Sequence, residues 1–290
     1  MDKITLEAPA KLNLWLEVMG KRADGYHEIF TVMHSVGLCD IVELELTAAG
    51  ITLECQVEED IASYTADLLC DESNLAYRAA AAFFSCVREY KPSAGGGVRI
   101  RLVKRIPAGA GLGGGSSDAG AVLRGLNLLF GNPIPILKLR EAGRPLGADV
   151  PFCVSGGTMA ASGIGDRLSP CPPPPEFFVV VAVPHEQVHT GCAYAALDKI
   201  EYEYRDPASF LAALESGDRE AFCAGLFNRF EAISPTAANL KRRFASLGAE
   251  ASLMSGSGAS VFGLFDSRST ALAAETALKS DGYYAALCTT

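Results

Sequence analysis

The chain has 290 residues, 49% of them hydrophobic, which suits one large domain or two of ordinary size. Its net charge of −9 excludes a general nucleic-acid binder and a protein held to anionic membranes by charge, while leaving room for a local basic pocket. Nine cysteines with no C-x-x-C pair, and an N-terminus carrying Asp2 and Glu7 without an apolar core, read as reduced thiols in a cytoplasmic protein lacking a leader peptide.

Residues 4–18 alternate, with Leu12, Leu14, Leu16 and Val18 set against Lys11, Asn13 and Glu17. That period predicts a strand, which Pro9 is expected to break in two. Residues 19–27 form a polar turn containing Gly20, Asp24 and Gly25. Residues 29–36, 41–46 and 51–57 read as strands, 75–90 as an amphipathic helix, and 98–103 as a further strand. Then comes Pro107 to Ser117, P-A-G-A-G-L-G-G-G-S-S, followed by Asp118 and a helix marked by Val122, Leu123, Leu126, Leu129 and Phe130. A short helix near 136–142, the segment L-G-A-D-V-P-F at 146–152 and a strand at 158–162 complete the first half. Pro172 to Pro175 break the chain, so a domain change is expected between about Gly156 and Pro175, dividing 1–160 from 161–290. Beyond it, strands at 177–183, 251–254, 260–265 and 283–287 alternate with helices at about 191–199, 207–215, 218–228, 236–247 and 269–279. Ser255 to Ala259 is a second glycine turn, between two strands. The apolar run at 177–183 is too short for a membrane span and reads as a buried strand. The whole is α+β in two lobes, with a cleft between lobes as the expected place for a ligand.

The glycine-rich segment carries the strongest functional signal. Glycine lets backbone N–H groups turn toward a ligand with no Cβ in the way, and a helix start adds unpaired donors and a positive dipole end. Together these suit a polyanion, above all nucleotide phosphates. The loop is not a Walker A sequence, since G-x-x-x-x-G-K-[ST] is absent. Gly109, Gly111 and Gly114 fit G-x-G-x-x-G, but Asn132-Pro133 stands where a dinucleotide site needs an acidic residue. The plainer alternative is a flexible loop with Ser116 as helix N-cap. Lys104 and Arg105 stand just before the loop, where phosphate charge calls for cations.

Three segments taken together resemble the GHMP kinases. They are P-A-K-L-N-L at 9–14 followed by G-K-R-A-D-G-Y-H at 20–27, the glycine loop, and M-S-G-S-G-A-S at 254–260. The resemblance implies a two-lobed GHMP kinase fold, with a ribosomal-protein-like N-terminal domain and a ferredoxin-like C-terminal α/β domain. It implies an ATP-dependent kinase of isoprenoid precursor biosynthesis whose substrate is cytidine diphosphate methylerythritol. ATP phosphates would be wrapped by Pro107, Ala108, Gly109, Ala110, Gly111, Leu112, Gly113, Gly114, Gly115, Ser116 and Ser117. Asn74 and Lys104 would lie near adenine. Asp149 would take the proton from the substrate hydroxyl, with Lys11 against it. Asn13 and Thr190 would contact the substrate, Tyr26 and Tyr194 would sandwich cytosine, and His27 would bond its edge. Some relatives hold Mg²⁺ with a glutamate that has no counterpart here. The ion is therefore expected on phosphate oxygens and water, with Asp118 as a helper and no protein metal site. No nucleic-acid or membrane partner is implied, and the chain is expected to be a monomer or weak homodimer.

Read without the resemblance, each of these residues has an ordinary structural alternative. A strand lysine such as Lys11 faces solvent, Asn74 caps the helix after it, Asp149 is a turn residue, and Tyr26 and His27 are turn residues too. A different GHMP kinase (homoserine, mevalonate or galactose type) and a non-catalytic nucleotide or metabolite sensor are the functional alternatives. His185-Glu186-Gln187-Val188-His189 spells the zinc motif H-E-x-x-H, but it follows Pro184 at a strand end, and the motif requires a helix.

Overall fold

The computed structural model describes residues 2–65, 68–92, 94–186 and 188–290. Its strands are β1 (Lys3–Lys21), β2 (His27–Thr47), β3 (Gly50–Val57), β4 (Gly97–Lys104), β5 (Thr158–Ser162), β6 (Arg167–Pro170), β7 (Phe178–Val183), β8 (Phe227–Asn228), β9 (Ala251–Met254), β10 (Val261–Phe265) and β11 (Tyr284–Thr289). Its helices are α1 (Leu75–Tyr90), α2 (Gly114–Leu129), α3 (Ile136–Gly143), α4 (Val150–Ser155), α5 (Thr190–Leu197), α6 (Ala208–Ser216), α7 (Arg219–Gly225), α8 (Pro235–Ser246) and α9 (Arg268–Ser280). Among the described residues no helix is long and apolar enough to cross a membrane.

The fold is α+β and the chain divides into two compact units. The first comprises Met1–Ala10, Cys39–Ala108 and Gly113–Gly156; the second comprises Lys11–Leu38, Gly109–Leu112 and Gly157–Thr290. The chain therefore crosses between units inside β1, inside β2 and on both sides of Gly109–Leu112, where a single cut at 160/161 was expected. The crossing at Gly156–Gly157 lies within the expected interval.

In the first unit β3 pairs parallel with β4, and β4 pairs antiparallel with the end of β2, placing Ile100 beside Leu53 and Leu44. The parallel β3–β4 pair needs a crossover, and α1 supplies it. Ala76, Ala79, Ala80, Phe83 and Val87 of α1 are buried at helical spacing, in one core with Val42, Leu44, Ile100 and Leu102. Full burial of a side chain like Phe83 stabilises by about 1.5–3 kcal/mol.

In the second unit an antiparallel sheet runs β11-β7-β10-β9. β7 lies between two partners, with Val181 opposite both Phe262 and Ala286, so a continuous apolar strand is buried there as its composition predicts. Ala237, Leu240 and Phe244 of α8 and Ala271, Ala274 and Leu278 of α9 share its core. The remainder holds the second part of β1 paired parallel with β8, and the first part of β2 paired with β5.

Three expectations change. Pro9 does not interrupt β1, because its fixed φ is compatible with extended backbone and only a donor is lost. Strands 29–36 and 41–46 are one strand, β2. The helix at 218–228 ends at Gly225, and Asn228 belongs to β8.

Candidate active site

The chain leaves β4 at Lys104 and enters the glycine loop at Pro107. Gly109, Gly111 and Gly113 take φ of 67°, 80° and 70°, the left-handed region that side chains avoid. Gly111 has a second constraint: a Cβ there would stand 2.3 Å from the Ser255 carbonyl oxygen. Gly113 is the N-cap of α2, and the amide of Ser117 closes the first turn on the Gly113 carbonyl at 2.8 Å. The N–H groups of Gly114, Gly115 and Ser116 precede that bond and sit at the positive end of the helix. Ser116 thus lies inside the first turn and is not the cap. Ser117 Oγ donates to the Pro9 carbonyl at 2.7 Å.

Asn74 caps α1: its Oδ1 accepts from the Ala76 amide at 2.9 Å and its Nδ2 donates to the Leu69 carbonyl at 2.7 Å. Lys104 is buried, and its Nζ donates to Asp40 Oδ2 and to Asp118 Oδ2. The carboxyl of Asp118 therefore faces an ammonium shared with Asp40, a strand residue that sequence reasoning did not single out. Asp149 holds the N-cap position of α4 and is half-buried; its side chain makes no capping bond.

In the second unit Lys11 is 4% exposed, and Asn13 beside it on β1 is 3% exposed. A lysine so buried in a strand departs from the solvent-facing alternative. Lys11 Nζ donates to Asn13 Oδ1 at 2.5 Å, and Asn13 Nδ2 donates to Thr31 Oγ1 at 2.8 Å. The Lys11 amide bonds the Leu112 carbonyl at 2.9 Å, and the Ala110 carbonyl accepts from the Ser260 amide at 3.2 Å. Ser255 Oγ donates to the Gly111 carbonyl at 3.0 Å and accepts from the Asn13 amide at 3.3 Å. Asn228 holds the second glycine turn, giving both amide protons to the Met254 and Gly256 carbonyls at 2.7 and 2.8 Å. Sequence reasoning missed Asn228, which it placed in a helix.

The residues that the resemblance assigns to cytosine also gather in the second unit. The His27 ring stacks on Tyr194 with centroids 4.4 Å apart and planes 18° apart. Tyr194 also meets Phe230 edge to face at 4.9 Å. His27 Nε2 lies 2.8 Å from Asp198 Oδ1, and Lys21 Nζ lies 2.9 Å from Asp198 Oδ2. The bond from His27, then that from Lys21, holds the Asp198 carboxyl below its ordinary value. Asp198 was not foreseen; nothing in its local sequence marks it. Tyr26 is 62% exposed, leaving its ring accessible to a planar ligand. Thr190 opens α5, its Oγ1 3.0 Å from Ser257 Oγ.

The described residues of H-E-x-x-H lie in a loop between β7 and α5, with His189 as the α5 N-cap and Gln187 outside the described residues. No group of three or more metal-ligating side chains occurs among the described residues.

Two family models match the chain: GHMP kinases N terminal domain over residues 74–157, and GHMP kinases C terminal over residues 210–284. The chain is 40% identical over 267 residues to the 4-diphosphocytidyl-2-C-methyl-D-erythritol kinase of Bacillus cytotoxicus, covering 90% of this chain and 88% of that protein. It is 41% identical over 291 residues to the protein of the same name from Acaryochloris marina, covering 93% and 90%. A crystal structure of a 4-(cytidine 5'-diphospho)-2C-methyl-D-erythritol kinase superposes with a TM-score of 0.80 at 35% identity, covering 99% of this chain and 98% of that one.

Proposed function

We propose that this chain, which belongs to the 4-diphosphocytidyl-2-C-methyl-D-erythritol kinases within the GHMP kinase family, moves the terminal phosphoryl group of ATP onto the 2-hydroxyl of 4-diphosphocytidyl-2-C-methyl-D-erythritol by positioning and charge neutralisation. It is an ATP-dependent kinase acting on an alcohol. The observation that carries the mechanism is the glycine loop, where three left-handed glycines lead into the N-terminus of a sixteen-residue helix. Pro107 to Ser117 supply N–H donors for charge on the transferred group. Each charge–dipole contact at a helix end is worth about 0.3–1 kcal/mol when exposed and up to ~2 when partly buried, so several must act together with a cation. Mg²⁺ would supply that positive charge from phosphate oxygens and water. This suits a hard cation, and it suits a chain whose Asp118 already faces Lys104.

Asp149 is assigned the substrate proton. A carboxylate is a weak base toward an alcohol, so its part is to orient the hydroxyl and receive the proton late. Lys11 is assigned the developing negative charge, oriented by Asn13. His27 is assigned the cytosine edge, with its Nε2 held by Asp198, and Tyr26 and Tyr194 its faces. Thr190 is assigned a substrate contact and Asn74 the adenine neighbourhood. His27 already covers one face of Tyr194, so a base stacking there would use the other face or displace the imidazole. The free cysteines fit a reducing cytoplasm, and the small-molecule substrate asks for no partner beyond a monomer or weak homodimer.

ADP release should be measured with MgATP and the cytidyl substrate, beside homoserine, mevalonate and galactose. Turnover is expected with the cytidyl substrate alone, and Asp149→Ala is expected to lower kcat about 100-fold or more. Turnover with another alcohol would remove the cytosine-pocket assignments, and full activity in the variant would remove Asp149 from its role.

A further inference from the structure

Three ionisable side chains are buried together in the first unit, and phosphate binding by the loop does not by itself account for them. Asp40 on β2 is 0% exposed, Lys104 at the end of β4 is 3% exposed, and Asp118 on α2 is 2% exposed. Lys104 Nζ donates to Asp40 Oδ2 and, at 2.5 Å, to Asp118 Oδ2. Asp40 Oδ1 accepts the backbone N–H groups of Arg105 at 2.5 Å and Ile106 at 2.9 Å. Those are the last two residues before Pro107, while Asp118 lies in the helix into which the loop opens. One ammonium therefore ties the strand end where the loop departs to the helix where it returns. Gly114, the first helical residue, lies against the same group: a Cβ there would fall 3.1 Å from Ile106 Cγ2 and 3.5 Å from Asp40 Oδ2.

This arrangement is a poor device for stability. Two carboxylates and one ammonium leave an excess buried negative charge, and apolar residues of similar volume would commonly hold such a site as well or better. Asp118 Oδ1 is buried with no hydrogen-bond partner among the described residues. Burial, joined by the charge of Asp40 and opposed by Lys104, pushes the Asp118 carboxyl up to about 7. Burial would also lower Lys104, but Asp118 and Asp40 together raise it. Two thiols also feel this cluster: burial, with Cys70 next, pushes Cys55 on β3 up to about 12, and burial, then the charges of Glu7 and Asp40, pushes Cys39 on β2 up to about 11.

What the cluster does accomplish is geometric. A segment this rich in glycine has much backbone freedom to lose, about 1–2 kcal/mol per residue ordered, and any part not lost on folding must be lost on binding ATP. We propose that Asp40, Lys104 and Asp118 are positioning residues for the phosphate loop, a buried strut that holds both of its ends so that its N–H groups are pre-aimed at ATP. Lys104 then acts through the loop, and its ammonium does not contact adenine. The inference rests on the reading of the loop as the ATP phosphate site.

The test is steady-state kinetics of the full chain with MgATP and the cytidyl substrate, with unfolding midpoints measured alongside. Asp118→Ala is expected to raise KM for ATP about tenfold, to leave kcat within about threefold, and to leave KM for the cytidyl substrate unchanged. Asp118→Asn keeps an acceptor for Lys104 and is expected to restore KM for ATP. A control separates the two readings. Gly109→Asp places a carboxylate where a Cβ meets nothing within 4 Å; the φ of 67° strains any side chain, Asp less than most, and the unfolding midpoint reads that strain. If it leaves KM for ATP unchanged, the phosphate-loop reading fails and the strut's purpose fails with it. If it raises KM while Asp118→Ala lowers only the unfolding midpoint, or shifts kcat and both KM values alike, the loop reading stands and the strut proposal is overturned.

Discussion

Two charge clusters of opposite make-up stand beside the two groups of residues proposed to face ligands. Asp40, Lys104 and Asp118 share one cation between two carboxylates; Lys21, Asp198 and His27 share one carboxylate between an ammonium and an imidazole. The hydrogen-bond logic is the same, yet the surroundings differ. The side chains of Lys104, Asp40 and Asp118 are 3%, 0% and 3% exposed, against 59% for Lys21 and 32% for Asp198. In the buried cluster the charges are stripped of water, so both carboxylates depend on the one cation. In the other cluster the His27 ring is 8% exposed, but water reaches the Lys21 and Asp198 groups and competes for their bonds, so those charges add little to folding.

The largest expected break in that comparison is Lys104→Met. It leaves two buried carboxylates without their cation and should cost about 3–5 kcal/mol of stability, read from denaturant unfolding. Asp118→Asn sharpens the comparison through pH. The folded carboxyl titrates near 7 against an ordinary value of 3.8, so the folded chain binds the extra proton between those values. Its contribution to stability is fully present below about 4 and is lost as pH rises to about 7, with a slope of at most ~1.4 kcal/mol per pH unit. Asn has no such titration, so the variant should show a flatter stability profile across pH 4–7 and gain on the parent above it. A profile parallel to the parent's would mean that Asp118 stays ionised throughout.

Asp198 has the opposite sign. His27 and Lys21 lower it, so its contribution is present above the ordinary carboxylate range and fades as pH falls through that range. It is exposed, and Asp198→Ala should move the unfolding midpoint by no more than about 2 °C. The same variant should raise KM for the cytidyl substrate several-fold while leaving KM for ATP alone. A large loss of stability would erase the contrast between the two clusters.

Legibility followed how local each signal was. The helix at 75–90 and the strands at 158–162 and 251–254 were readable to the residue, because side-chain period and breakers lie within the segment itself. The glycine loop was readable too, since its torsions at Gly109, Gly111 and Gly113 favour glycine. The alternation of β1 pointed to a strand but misjudged its surroundings: Lys11, Asn13 and Glu17 are as buried as the leucines between them. Both faces of that strand are covered, and no period in a single segment reports what covers it. Asn228 shows the same limit, since its helical neighbourhood hid a two-residue strand whose partner lies some two hundred residues earlier.

The sequence by itself determined most of the element types, the α+β class, the glycine-dependent turn of the loop and, through three short motifs, the kinase family. Each of these depends on backbone torsion, local period or residue order, all of which are properties of a short stretch of chain. Only the tertiary structure decided that Lys104 is enclosed by Asp40 and Asp118, that Asp198 stands behind His27, and that Asn228 holds the second glycine turn. Those are matters of desolvation and of pairing across long separations, where the free energy depends on which groups folding brings together.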